Sequence, residues 1–459
     1  MRGCATISRP RSIRELGGPD GGIRVNEAEE ISSKQKQISV SEFFEKNKHF
    51  LGFDTLPRAV ITAVKESVDN SLDACEEARI LPDIRVEIRR TKGDELELTT
   101  QDNGPGIPRD AIENVFGKFL LGSRFHAIRQ TRGQQGIGIT GVVMYSQLTT
   151  GSKTHVVSKI KSDSSAVYVD LGVDTKKNKA IKSGERRDIW IDDKTGNEIS
   201  HGLRISTQMK AKYQRGRKSV YQYLRMTSIV NPHASISLIV YDREGSVVEE
   251  GNWTRTSNKL PRVVEEIKPH PHGIQLGTLQ RMLREANDRR MTSFLKHNFS
   301  GVSPRAAKEI LAIAEVEEGR TPKRIKAEEA KKMVAAFQTV KLLKPPMDCL
   351  SPIEDLLIKK GLSKAIDSRF ASTVTRNPSV SQGNPFQIEV GLVFGGDLTS
   401  DGPIEILRFA NRVPLMYQQG GCLLTKALEA VNWKSYGLEQ PGGSGIPKGP
   451  AAVLIHPVS

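Results

Sequence analysis

Glu66 and Asn70 lie four residues apart in the run LPRAVITAVKESVDNSLDACEEA, a spacing that puts both on one face of a helix. A carboxylate and a carboxamide on one face suit activation of a water molecule and a neutral oxygen ligand for Mg²⁺. Alone, such a pair is more often plain solvated helix surface. A second stretch, Asp102-Asn103-Gly104-Pro105-Gly106-Ile107, closes a strand-like run. Asp102 there could accept a hydrogen bond from an exocyclic amine, with the glycines letting a flat ring approach the backbone; the same composition also makes an ordinary turn. A third stretch runs Gly133-Gln134-Gln135-Gly136-Ile137-Gly138-Ile139-Thr140-Gly141 into VVMYSQL. Bare backbone leading into a helix N-terminus makes an anion cradle. It is not a P-loop, because no G-K-[ST] follows, and its glycine spacing does not fit the dinucleotide fingerprint.

These stretches need elements to hold them together. ISVSEFFEKNKHFLGF has apolar residues at helical spacing, and Leu56 to Ala78 predicts a long helix with Val60, Ala63, Val64, Val68 and Leu72 in one stripe. DIRVEIRR, ELELTTQD, HVVSKIKS, AVYVDLG, GLRISTQMK and ASISLIVYD predict strands, so helices should cover one largely antiparallel sheet. Residues 177–200 read as a charged hairpin or an insertion. From 273 to 344 the pattern is helical: LGTLQRMLREAN, MTSFLKHNF, SPRAAKEILAIAEV and KAEEAKKMVAAFQTV. Ser303 and Pro304 give the third of these a cap and a first-turn proline, and KPP ends the fourth. Beyond it, FQIEVGLVFGG, IEILRFANRVPLMY and AAVLIHPVS read as strands around a helix in CLLTKALEAVNWK.

At 459 residues the chain has room for two to four domains. No apolar run approaches the length of a membrane span, and the Arg-containing amino terminus has no apolar stretch behind it. Cys4, Cys75, Cys349 and Cys422 lie far apart without ligand spacing, which excludes a zinc module or disulfide scaffold and points to a reducing, cytoplasmic setting. The net charge is +15. Residues 262–345 carry 17 Lys and Arg against 10 Asp and Glu, which suits an acidic partner such as nucleic acid, or simply a solvated basic surface.

In order and spacing the three stretches together resemble the GHKL ATPase family of gyrase-type topoisomerases, Hsp90, MutL and histidine kinases. ESVDNSLDACEEA, KFLLGSRFH, GQQGIGITG and KPHPHGIQLG narrow the resemblance to the B subunits of type IIB DNA topoisomerases, the topoisomerase VI group, from about Ile38 to Ser459. The resemblance implies an α+β protein. A flexible arm (1–36) would precede a GHKL (Bergerat-type) α/β sandwich ATPase domain (37–261), a helix–two-turn–helix domain (262–346) and an α+β transducer domain (347–459). It implies ATP and Mg²⁺ as ligands. Glu66 would orient and polarise the attacking water, Asn70 would ligate Mg²⁺, Asp102 would read the adenine amine, and Gly106 would let the ring approach. Ser123 and Arg124 would line the nucleotide, and Arg132, Gly133, Gln134, Gln135, Gly136, Ile137, Gly138 and Ile139 would form the lid over the triphosphate.

Relatives carry Gly-Thr where this chain has Gly202-Leu203, so a hydroxyl near adenine would come from Thr207 or be missing. A transducer lysine would lie beyond Ser459, so the transducer reads as truncated; Lys434 is the nearest candidate within the chain and is not assigned that role. ATP binding would join two copies of this chain around a DNA duplex, with a DNA-cleaving A subunit completing an A2B2 heterotetramer and no membrane partner. The helical domain would contact DNA phosphates or only brace its neighbours. The alternatives are a catalytically silent, nucleotide-dependent DNA-binding subunit and another GHKL ATPase, MutL-like or Hsp90-like.

Overall fold

A computed structural model describes residues 42, 44, 46–49, 51–119, 128–133, 136–174 and 179–459. Its longest helix, α1 (Leu56–Glu77), starts where Thr55 accepts a hydrogen bond from the Arg58 N–H and Pro57 occupies the first turn. Its apolar stripe, Val60 to Leu72 with Cys75, is wholly buried. The chain continues through β1 (Asp83–Arg90), β2 (Glu95–Asp102), α2 (Arg109–Gly117) and α3 (Gly138–Thr150). Four strands follow: β3 (Thr154–Lys159), β4 (Ala166–Asp174), β5 (Lys179–Asp188) and β6 (Gly202–Lys210). Then come α4 (Val220–Val230), β7 (Ser235–Tyr241) and β8 (Val247–Trp253). The eight strands make one sheet in the order β5-β4-β3-β6-β2-β1-β7-β8, antiparallel except between β1 and β7. In β2 the buried positions alternate as Leu96, Leu98, Thr100 and Asp102. The two-residue period of a strand therefore brings Asp102 to the same face as the core leucines, under α1.

The charged 177–200 stretch proves to be more than an appended hairpin. Its described residues include β5, an edge strand paired along β4. The exposed Lys, Glu and Arg side chains of β5 protect that edge from pairing with another chain. Trp190 then folds back into a small apolar pocket with Val157 and Ala166.

Four helices follow: α5 (Leu276–Glu285), α6 (Met291–Asn298), α7 (Pro304–Ile313) and α8 (Ala327–Thr339). They enclose a separate core built on Leu279, Phe294, Ile310, Met333 and Phe337. Ser303 caps α7 by accepting the Ala306 N–H at 3.1 Å. The remaining chain forms α9 (Asp355–Ala365), β9 (Phe370–Thr375), β10 (Ser379–Ser381), β11 (Asn384–Phe394), β12 (Glu405–Ala410), β13 (Val413–Pro414), α10 (Leu423–Glu429) and β14 (Ala451–Val458). Its sheet runs β10-β11-β14-β12-β13, with β9 also paired to β11. Met226, Ile229 and Val230 of α4 belong to the core formed by α9, β11, β12 and β14. One helix thus anchors both sheets. No helix among the described residues is long and apolar enough to cross a membrane.

Candidate functional site

A polar stripe runs along α1 beside its buried one: Thr62, Glu66, Asn70, Asp73 and Glu77, spaced by three or four residues, all border one cavity of about 1110 Å³. Asp102, Gly106, Arg132, Gly133, Gly136, Ile137, Gly138 and Ile139 border the same hollow. Ser123, Arg124, Gln134 and Gln135 lie outside the described residues.

The carboxylate of Glu66 is partly exposed, with Oε1 3.1 Å from Lys65 Nζ. Lys65 also pairs with the buried Asp69 at 3.1 Å. Although burial of the ammonium opposes protonation, the two carboxylates outweigh it and raise the Lys65 pKa. Lys65 is therefore a permanent cation beside Glu66. A Cβ on Gly138 would stand 1.9 Å from Glu66 Oε2, so the first turn of α3 abuts this carboxylate only because residue 138 has no side chain. Ile137, at the head of α3, makes no side-chain cap, which leaves the first-turn N–H groups for an anion. Gly136 has φ +57°, a conformation that favours glycine. The carboxamide of Asn70 is exposed on the cavity wall.

Asp102 is pinned from two sides: Ser71 Oγ donates to Oδ2 at 2.5 Å and the Gly104 N–H donates to Oδ1 at 2.9 Å. Burial raises its pKa against the pull of these donors. Asp102 is a positioned acceptor on the floor of the hollow.

Gly106, Arg132 and Thr207 each carry packing or pairing that the motifs did not announce. Gly106 has φ +72°, and a Cβ there would stand 2.2 Å from the Lys159 carbonyl oxygen. Its need for glycine comes from strand packing, although it does border the cavity. Arg132 also borders the cavity, but its guanidinium is buried and held by Asp73 at 2.6 Å, Glu76 at 2.6 and 2.8 Å, and Asn231 Oδ1 at 2.6 Å. That charge ties α1 to the chain leading into the glycine run. Thr207 is buried against Thr154 on the sheet, and Leu203 takes the cavity position. Lys434 is exposed in a short turn and is not among the cavity-lining residues.

The motifs did not mark Lys65, Ser71 or Asn411. The first two adjoin Glu66 and Asn70, so their signal was simply adjacency on one helix. Asn411 enters the lining from the β12–β13 turn, more than 300 residues away, and nothing in the sequence announced that approach.

Two stretches of the chain match known families. Residues 55–175 match the family described as "Histidine kinase-, DNA gyrase B-, and HSP90-like ATPase", and residues 345–459 match "Topoisomerase VI B subunit, transducer". The type 2 DNA topoisomerase 6 B subunit of Methanococcoides burtonii is 49% identical over 433 residues, covering 94% of this chain and 68% of the relative. The protein of that name in Methanosarcina acetivorans is 50% identical with the same coverage, and that of Archaeoglobus fulgidus is 47% identical over 427 residues, covering 93% of this chain and 68% of the relative.

The chain belongs to the family of type 2 DNA topoisomerase 6 B subunits. As a member of that family it joins a GHKL-type ATPase fold, which binds nucleotide, to a transducer fold. Most of the cavity lining falls within the residues matched by the ATPase family, and Asn411 in the β12–β13 turn reaches it from the residues matched by the transducer family.

Proposed function

We propose that the cavity binds and hydrolyses ATP with Glu66 as general base. The observation that carries this reading is the convergence of the α1 polar stripe, Asp102 and the head of α3 on one hollow. Glu66 would accept a proton from the attacking water, with the Lys65 ammonium 3.1 Å from its carboxylate. The uncapped first turn of α3 and the backbone of Gly133 to Ile139 would receive the triphosphate, so that binding is mainly positioning and electrostatics. Asp102 would accept from the adenine amine.

Magnesium fits this donor set. Asn70 offers one neutral oxygen at the cavity wall, and among the described residues no cluster of three or more His, Cys, Asp or Glu competes for a metal. An ion that keeps most of its coordination for phosphate and water oxygens suits such a site. Bound there, Mg²⁺ would neutralise charge on the phosphate oxygens.

At the level of the assembly, we propose division into the arm 1–36, the ATPase domain 37–261, the helix–two-turn–helix domain 262–346 and the transducer 347–459. ATP would join two copies of this chain around a DNA duplex. A DNA-cleaving A subunit would complete an A2B2 heterotetramer that passes one duplex through another and relaxes supercoils. The basic balance of residues 262–345 suits phosphate contacts, which position DNA without reading its sequence. The test has two parts. A non-hydrolysable ATP analogue with Mg²⁺ should shift the chain from monomer to dimer in sedimentation. Mixed with an A subunit, the chain should relax supercoiled plasmid only when ATP is present. No analogue-dependent dimer would remove the clamp, and relaxation without ATP would remove the coupling.

A further inference from the structure

Behind the nucleotide cavity lies a second hollow of about 280 Å³. Asp73, Glu77, Thr131, Arg132 and Asn411 border both, so one layer of side chains separates them. The residue that distinguishes the second hollow is Arg412. It follows Asn411 in the two-residue turn between β12 and β13 and has φ +65°, a conformation rare for a residue with a side chain. The backbone is fastened there from both sides. The Arg412 N–H donates to His456 Nε2 at 2.8 Å, and Asn231 Nδ2 donates to the Arg412 carbonyl at 3.4 Å.

The Arg412 side chain is buried. Its Nη2 donates to the carbonyl oxygens of Pro352 at 3.0 Å and Ser351 at 3.3 Å, and its Nε has no partner. Among the described residues it forms no ion pair. Both oxygens of Glu76, the carboxylate with the largest electrostatic influence on it, are engaged by Arg132, and one also receives His233. The other acidic groups on the border are engaged too: Asp73 with Arg132, and Glu77 with Arg129. Burial pulls the Arg412 pKa down to about 10, so the group remains a cation at neutral pH. Ser351 Oγ, Thr131 Oγ1 and Arg132 Nε are also buried without partners on this border. A buried guanidinium without a counter-charge is unfavourable, as are orphaned donors, and an anion relieves both.

We propose that the second hollow is an oxyanion site that takes inorganic phosphate, with Arg412 as its counter-charge and Ser351 and Thr131 as hydroxyl donors. It deepens the ATPase reading and depends on it only for the origin of the ligand. The phosphate is either the hydrolysis product, handed past Asn411 and Thr131 from the neighbouring cavity, or free phosphate from solution. As product, it would make the transducer turn a sensor of the post-hydrolysis state.

The test uses the full chain with its nucleotide cavity filled by Mg²⁺ and a non-hydrolysable ATP analogue, titrated with inorganic phosphate in a calorimeter. Saturable binding of one phosphate per chain is expected. Arg412→Met should weaken it at least about tenfold, as loss of a charge-assisted donor does, and Arg412→Lys should weaken it less. Should Arg412→Met fail to fold by circular dichroism, the double change Ser351→Ala with Thr131→Val reads the same site, with an expected loss of about threefold to tenfold. No saturable binding, or unchanged affinity in the folded variants, means the hollow holds only water and overturns the proposal.

A single-turnover experiment with a fluorescent phosphate sensor separates the two sources. Release that lags cleavage, with a lag shortened in Arg412→Lys, assigns the product. Release concurrent with cleavage, in a chain that still binds phosphate in the calorimeter, assigns free phosphate. Glu66→Gln separates this proposal from the ATPase reading. It should lose turnover yet bind phosphate normally, and retained turnover would count against Glu66 while leaving the oxyanion site standing.

Discussion

Glu66 and Glu76 are the same residue type on the same helix, ten positions apart, and they live in opposite environments. Glu66 faces an open cavity beside Lys65, against the first turn of α3. Glu76 is largely buried, gripped by Arg132 and His233, and its pKa is driven far below the ordinary carboxylate value by those two partners despite burial. The first carboxylate meets a cation through one oxygen; the second meets cations through both. A carboxylate becomes useful to a substrate when the fold leaves it charged and incompletely paired. The same side chain becomes a rivet when cations saturate it.

The largest effect expected from this contrast is at Glu66. Glu66→Gln should lower ATP turnover by about 10²–10⁴-fold, the usual range for removal of a general base, with nucleotide affinity changed less than about threefold. Steady-state ATPase rates paired with equilibrium binding of a fluorescent ATP analogue would read both. An equal loss of turnover and binding would move Glu66 into the binding wall and erase the distinction from Glu76.

Breaking the rivet should act on folding first. Arg132→Met leaves Asp73 and Glu76 together without their shared cation, and loss of one partner from a buried pair costs about 3–5 kcal/mol. The midpoint of chemical denaturation should fall accordingly. If stability is unchanged while nucleotide binding collapses, Arg132 belongs to the lid and not to the scaffold.

A smaller effect is expected at Asn70, between the two glutamates and exposed on the cavity wall. Asn70→Ala should weaken Mg·ATP binding about tenfold and change ATP binding in excess chelator much less. Equal affinities of the variant and the parent for Mg·ATP would take Asn70 out of the metal site.

How much of this could be read from the sequence follows the range of the interactions involved. The stripe on α1 is a local, helical-period signal, and Glu66 and Asn70 stood out because both lie within one turn. Asp102 was legible because a strand of period two ended in a glycine turn. The edge strand β5 was legible only as part of a charged hairpin or insertion, since its buried alternation is absent and pairing with β4 defines it. Helix α9 was also missed, because its burial depends on packing against α4 and β11, two distant elements. The pairing of Arg132 was hidden for the same reason. Beside the glycine run it looked like part of a phosphate cradle, whereas the partners that claim its guanidinium are 56, 59 and 99 residues away. Local spacing shows which groups are candidates for chemistry, and tertiary pairing decides which remain available for it.

The smallest expected effect concerns the buried seam that continues from Glu76 into the transducer. His456 is fully buried; its Nε2 accepts the Arg412 N–H at 2.8 Å, and its Nδ1 lies 2.8 Å from Glu389 Oε2. Accepting at Nε2 requires the neutral ring with its proton on Nδ1, shared with Glu389. Burial lowers the pKa of His456, and burial likewise lowers that of His233. In the unfolded chain both rings take up protons below about pH 6.5, while in the folded chain they resist protonation. The unfolded state therefore binds more protons, so this contribution to stability is complete above about pH 6.5 and is lost as pH falls toward the folded values. The raised pKa values of Asp69 and Asp102 act in the opposite sense and gain stability on acidification, so the raw slope of the parent chain mixes both. Comparison with His456→Gln isolates the histidine. The variant should be less stable at about pH 7.5, and its melting temperature should fall less than the parent's between about pH 7 and pH 5.5, because one group that resists protonation has been removed. Parallel curves would mean that His456 titrates alike in both states, and the seam would then have no neutral histidine at its transducer end.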